Sequence, residues 1–228
     1  ISGGQYSPLA FYASENDLNM CIALHQVNKS KINDSGKNSL TALLAASVGG
    51  YTDIVQFLID NQVDINIPSE LGSSPLYMAC SLGHKDIVKL LVNEVNVNDV
   101  NLKGWTPLCA AIYTGSDSVV RILLENGANP MIAVGSYWNG IEVGNTPMVI
   151  AIYKKNTQII EMLIQSGVDF TLNALREMEA FYGHDLNFVF GFASAIGQYD
   201  IIDVSMHSTD IPMATSKNTI YEYIHIYI

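Results

Sequence analysis

Thr106-Pro107-Leu108-Cys109 decides the fold, because segments of the same shape flank it at a near-constant interval. They are Ser7-Pro8-Leu9-Ala10, Thr41-Ala42-Leu43-Leu44, Ser74-Pro75-Leu76-Tyr77 and Thr146-Pro147-Met148-Val149, and successive starts lie 34, 33, 32 and 40 residues apart. A period near 33 residues marks an array of stacked supersecondary units, each too small to bury its own apolar face.

The residues from Gly104 to Asn129 show how one unit folds. Thr106 suits a helix N-cap, its hydroxyl accepting an orphan backbone N–H, and Pro107 follows at the first helical position, where a missing donor costs least. Leu108, Ala110 and Ala111 give the short helix small apolar packing positions, and Gly115 can take the left-handed conformation that ends it. Val119, Val120, Leu123 and Leu124 then recur at helical spacing until Asn126-Gly127-Ala128 stops a second helix. Neither helix is long enough to be stable alone in water.

These residues resemble the ankyrin-repeat family, whose pattern runs from Thr-Pro-Leu-His through an Ala-rich stretch and Gly-His to an Ile-Val…Leu-Leu helix, closing on Gly-Ala-Asp-Val-Asn. Ser74 to Cys80, then Gly83-His84, Ile87-Val88, Leu90-Leu91 and Asn96-Val97-Asn98, match it most closely. The preceding unit adds Gly50-Tyr51, Ile54-Val55, Leu58-Ile59 and Val63-Asp64-Ile65-Asn66. The resemblance implies an all-α solenoid of paired antiparallel helices with β-hairpin or loop fingers, about six repeats in one domain over 1–228. The expected units are 5–35, 36–68, 69–100, 101–131 and 141–170, a degenerate one at 183–214 around Phe192-Ala193-Ser194 and Gly197-Gln198, and a partial one at 216–228. An apolar edge strand is the alternative for Ile220 to Ile228, and terminal units of solenoids are commonly atypical. The chain begins at Ile1 without Met, and a fragment or processed product is expected.

Composition narrows the function. Eleven basic against 22 acidic residues give a formal charge of −11. That argues against nucleic acid as the principal partner, since counterion release needs clustered Lys and Arg. Lys154-Lys155 is the adjacent basic pair, and a solvated helix end accounts for it better than a docking site does. No apolar run approaches the roughly 20 residues that cross a bilayer, so no membrane insertion is expected. Three cysteines, Cys21, Cys80 and Cys109, fall at small or core repeat positions and read as reduced structural thiols, which favours a cytoplasmic or otherwise intracellular protein. An Asn- and Ile-rich composition is common in intracellular bacteria, protists and large DNA viruses, so delivery into a host cell is an associated alternative.

Catalytic signals are absent from the pattern. His25, His84, His184, His207 and His225 show no catalytic spacing to a cysteine, and His84 at the Gly-His position reads as a hydrogen-bonding residue of a tight turn. Gly183-His184-Asp185 has no second ligand cluster, and no Gly-rich loop leads into Lys-Ser or Lys-Thr. The expectation is therefore a non-enzymatic module with no catalytic residues, no cofactor, no metal and no small-molecule substrate. A targeting or regulatory segment of a larger enzyme or effector, with its catalytic domain outside these residues, is the competing reading.

The resemblance also implies where a protein partner would bind: a concave face made by the finger tips and the outward positions late in each first helix. Those positions hold Glu70, Leu71, Ser73, Ser81 and Leu82 in one unit, Leu102, Lys103, Trp105, Tyr113 and Thr114 in the next, and Glu142, Val143, Asn145, Tyr153 and Lys154 in the one after. Trp105, Tyr113 and Tyr153 are the expected anchors, because large aromatics that a repeat does not need for packing suit an interface. The lengthened interval before Thr146 holds Ser136-Tyr137-Trp138-Asn139-Gly140, read either as a contact finger carrying Trp138 or as a flap packed on the neighbouring repeat. Leu175, Met178, Phe181 and Tyr182 suggest an added amphipathic helix. Some ankyrin repeats are hydroxylated on the Asn closing a Leu-x5-Asp-hydrophobic-Asn run; Leu58 to Asn66 has that form, and hairpin hydrogen bonding explains Asn66 equally.

Overall fold

A computed structural model describes residues 6–133 and 146–168, and the chain divides into two compact units, 1–150 and 151–228. Ten α-helices, and no strand, occur among the described residues. The first eight come in pairs: α1 (Pro8–Ser14) with α2 (Leu18–Val27), α3 (Ala42–Gly49) with α4 (Thr52–Asp60), and α5 (Pro75–Ser81) with α6 (Lys85–Leu91). α7 (Pro107–Thr114) with α8 (Asp117–Glu125) follows, and α9 (Pro147–Tyr153) and α10 (Thr157–Gln165) come next in the chain.

The same device starts each pair and α9. The hydroxyls of Ser7, Thr41, Ser74, Thr106 and Thr146 accept the N–H of the residue three positions on, at 3.1 to 3.4 Å. Each bond satisfies one of the donors a helix start leaves orphaned, typically contributing about 1 kcal/mol. The first helices end on a left-handed residue: Asn16, Gly50, Gly83, Gly115 and Lys155 have φ between 54° and 76°. These residues are again 34, 33, 32 and 40 apart, so start and stop signals share one period.

In the first unit the helices form two layers. First helices pack in sequence, α1 on α3 on α5 on α7, and second helices do the same, α2 on α4 on α6 on α8. α7 shows why: Leu108, Cys109, Ala110, Ala111 and Ile112 are all buried, because a first helix lies between its own second helix and the neighbouring first helix. Second helices bury a narrower stripe, Ile54, Val55 and Leu58 in α4 and Val119, Val120 and Leu123 in α8. Burying a Leu or Ile side chain contributes about 1.5–3 kcal/mol. By contrast the ion pairs Lys31–Asp34 and Lys89–Asp86, at 4.0 and 3.6 Å, are exposed and add little.

Polar bridges fix the register between repeats. The Asn33 carboxamide oxygen accepts the N–H of Asp64 at 2.8 Å, and Asn98 accepts the N–H of Asn129 at 2.7 Å. His84 Nε2 lies 3.0 Å from the Val48 carbonyl, so that nitrogen carries the proton, and the histidine is the turn residue the sequence suggests. In the second unit, Asn156 caps α10 through the Ile159 N–H, and Ile159, Ile160, Met162 and Leu163 are buried.

Candidate partner-binding surface

The loops entering α3, α5 and α7 are each built on one residue and closed four positions later. Gly36 N–H donates to Leu40 O, Ser69 N–H to Ser73 O, and Asn101 N–H to Trp105 O, at 3.0 to 3.1 Å. Asn101 does more. Its side-chain oxygen accepts the N–H groups of Lys103 and Trp105 at 2.9 and 3.0 Å. Asn101 is buried, so its carboxamide replaces water for the backbone it holds. Burial pushes the Tyr77 phenol above its ordinary value, and the Asn101 contact partly offsets this.

The tips so formed present apolar side chains outward. Leu71 and Leu102 are 62% and 77% exposed, and the Leu102 N–H donates to the Leu71 carbonyl at 3.0 Å, which ties one tip to the next. Lys103 and Glu70 are exposed beside them. Trp105 is half-buried, not a projecting tip, and meets Tyr113 edge-to-face with ring centroids 5.7 Å apart. Tyr113, late in α7, keeps 36% of its surface exposed, and Leu82 at the end of α5 keeps 51%. Exposed leucines joined by backbone and flanked by an aromatic pair give apolar contact area on a rigid support.

Val48 is an addition that sequence reasoning missed. It is 39% exposed in α3 at the repeat position of Tyr113, and an aliphatic residue there carries no aromatic signal in the sequence. Asn101 was also missed, although its place five residues before the Thr106 cap repeats that of Ser69 before Ser74. In the second unit, Tyr153 and Lys154 are exposed at the end of α9. Trp138, Glu142, the helix expected over Leu175 to Tyr182 and the units expected at 183–214 and 216–228 lie outside the described residues. Asn66 is exposed and its N–H donates to Asp64 Oδ1 at 3.0 Å.

Cys21, Cys80 and Cys109 are free and buried. Burial pushes the thiols of Cys21 and Cys109 up to about 11 from the ordinary 9.0, with Asp17 adding to the rise at Cys21, and Cys80 rises further. Such thiols stay protonated and unreactive near neutrality. Among the described residues no group of three or more His, Cys, Asp or Glu could hold a metal ion, and no helix is long and apolar enough to cross a membrane.

Comparison with known proteins agrees with this architecture. The family model described as ankyrin repeats, three copies, matches residues 43–134 and 96–174. Three curated relatives are similar over 79 residues at 32% identity: the proteins titled NAD-capped RNA hydrolase NUDT12 from Homo sapiens, Pongo abelii and Macaca fascicularis. The similarity takes in 35% of this chain and spans 17% of the length of each relative.

Proposed function

The chain belongs to the ankyrin-repeat family, a family of protein-protein interaction modules, and on that premise we propose that it holds a partner protein on the face made by its finger tips and first helices. The observation that carries this reading is the pairing of exposed Leu71 and Leu102 through a backbone hydrogen bond beside the Trp105–Tyr113 ring pair. Contiguous exposed apolar surface on a monomer marks interaction sites. Aromatic side chains with few torsions contribute contact area at low entropic cost. Leu71, Leu102, Trp105 and Tyr113 are the anchors, and Lys103 tunes specificity from the rim. Tyr153 and Lys154 are contacts in their own right in the second unit, and Trp138 and Glu142 are assigned to the same role from sequence. Asn66, exposed at the end of its Leu-x5-Asp-hydrophobic-Asn run, is the candidate hydroxylation site. Three free cysteines support a reducing, intracellular setting.

The test is retention of proteins from eukaryotic cytosol by the intact chain and by a Trp105→Ala, Tyr113→Ala, Tyr153→Ala variant whose circular dichroism is unchanged. A protein held only by the intact chain supports the assignment; identical retention by both contradicts it.

A second reading, that these repeats serve a larger enzyme as a targeting or regulatory segment, is favoured by one observation. The similar relatives are titled as hydrolases, and the similarity spans 17% of their length. The full-length reading frame separates the two: a catalytic domain in the same frame supports this reading, and its absence leaves the stand-alone module.

A further inference from the structure

His25 occupies the repeat position that holds Ile59, Val92 and Leu124 in the next three repeats, so the stack itself asks for an aliphatic side chain there. The histidine is buried, and its ring is held edge-to-face by Phe57 of α4 with centroids 5.8 Å apart. It lines a pocket of about 260 Å³ formed by the start of α1, the end of α2 and the connection that follows. That volume lies just below the roughly 300 Å³ at which sites for drug-sized molecules begin, and suits one substituted aromatic ring.

The lining defines the chemistry of what fits. Pro8, Leu9, Leu24 and Val27 supply apolar walls. Leu24 is only half-buried, whereas its counterparts Leu58, Leu91 and Leu123 are fully buried, so this wall is of a kind the later repeats always cover with apolar matter. The oxygen atoms of Ser7 and Asn28 in the wall are already engaged. Ser7 Oγ donates to Asp34 O and accepts from Ala10 N–H, Asn28 Oδ1 accepts from Ser30, and the lining's one cation and one carboxylate, Lys31 and Asp34, stand 4.0 Å apart in exposed positions, so the wall has no net charge. A neutral ligand is therefore preferred over a charged one. His25 adds an unsatisfied group: its Nδ1 is sealed from solvent without a hydrogen-bond partner. A buried orphan N–H is costlier than a buried orphan lone pair, so the favoured tautomer keeps the proton on Nε2, which makes this lining residue a donor.

We infer that this pocket is a binding site for a small neutral aromatic compound carrying one hydrogen-bond acceptor, such as a carbonyl, placed to accept from His25 Nε2. Nothing in the assignment of the finger face requires it, and it stands independently of that reading.

The experiment is an amide chemical-shift titration of the full chain with acetophenone and with ethylbenzene, which has the same body without the acceptor. Saturable shifts confined to α1, α2 and their connection are expected, with acetophenone bound roughly five- to tenfold more tightly, the margin one neutral hydrogen bond gives. His25→Phe should abolish that margin. Val27→Trp, at a residue 86% exposed and so free to enlarge, should block both probes, as should Leu24→Phe from within. Non-saturable shifts, shifts elsewhere, or binding that survives both filling variants overturn the site. An unchanged preference for acetophenone in His25→Phe overturns the role of the histidine.

Discussion

Ser47 places a fully buried hydroxyl in α3 with no hydrogen-bond partner, at the position that holds Ala13, Cys80 and Ile112 in other repeats. A buried polar atom without a partner is a net cost, so Ser47→Ala should raise the unfolding free energy by about 1 kcal/mol in urea denaturation. Trp105 is a different kind of residue. It is half-buried against Tyr113, whose hydroxyphenyl ring remains partly exposed. Trp105→Ala should weaken the partner at least tenfold in a calorimetric titration, with circular dichroism unchanged; unchanged affinity in the folded variant would refute the anchor. The aromatic content of this surface was legible in the sequence because Trp105 and Tyr113 exceed what a repeat needs. The degree of exposure was not: whether a ring projects or leans on its neighbour depends on the next helix in the stack, which no local pattern encodes.

At the scale of the elements, helix starts and stops were legible because each is a local event. A Ser or Thr hydroxyl reaches an N–H three residues on, and a left-handed residue ends the helix a turn or two later. The bridges between repeats were less so, since they join residues about 30 positions apart. Gly50 combines both kinds of constraint. Its φ is +76°, and a Cβ there would lie 2.7 Å from the His84 ring that bonds the Val48 carbonyl. Gly127 has φ +82° but nothing within 4 Å of the same added atom. Both Gly→Ala changes should cost the roughly 1 kcal/mol of a left-handed alanine. Gly50→Ala should cost about 1 kcal/mol more, because the histidine must leave its bond. Equal losses in denaturant would mean that the His84 bridge contributes nothing to the stack.

Across the whole molecule, stability is expected to follow the sum of repeats and their nearest-neighbour interfaces, as in other solenoids. Three buried thiols make that stability depend on pH in one direction. Their folded values are raised above the ordinary 9.0, to about 11 at Cys21 and Cys109. Between those limits the unfolded chain has lost thiol protons that the folded chain keeps. Their stabilising contribution is therefore complete below pH 9 and falls as pH rises through about 11, by up to about 1.4 kcal/mol per unit for each thiol. Thermal unfolding followed from pH 8 to pH 11 should show the midpoint falling steeply above pH 9, and Cys80→Ala should make the fall shallower. The array architecture was readable from one periodic signal, whereas the pocket at His25 was not. That histidine has no motif around it, and only the packing of α1 against α2 reveals what it faces.

The central claim, that the finger tips and first helices carry the partner, is tested most directly by site-specific photo-crosslinking. A photoreactive residue is placed at Leu71, at Leu102 or, on the second-helix layer, at exposed Arg121 of α8. The account predicts one and the same protein adduct from positions 71 and 102, none from 121, and loss of the adduct when Trp105→Ala is added. Adducts from Arg121 with none from the two leucines would contradict it.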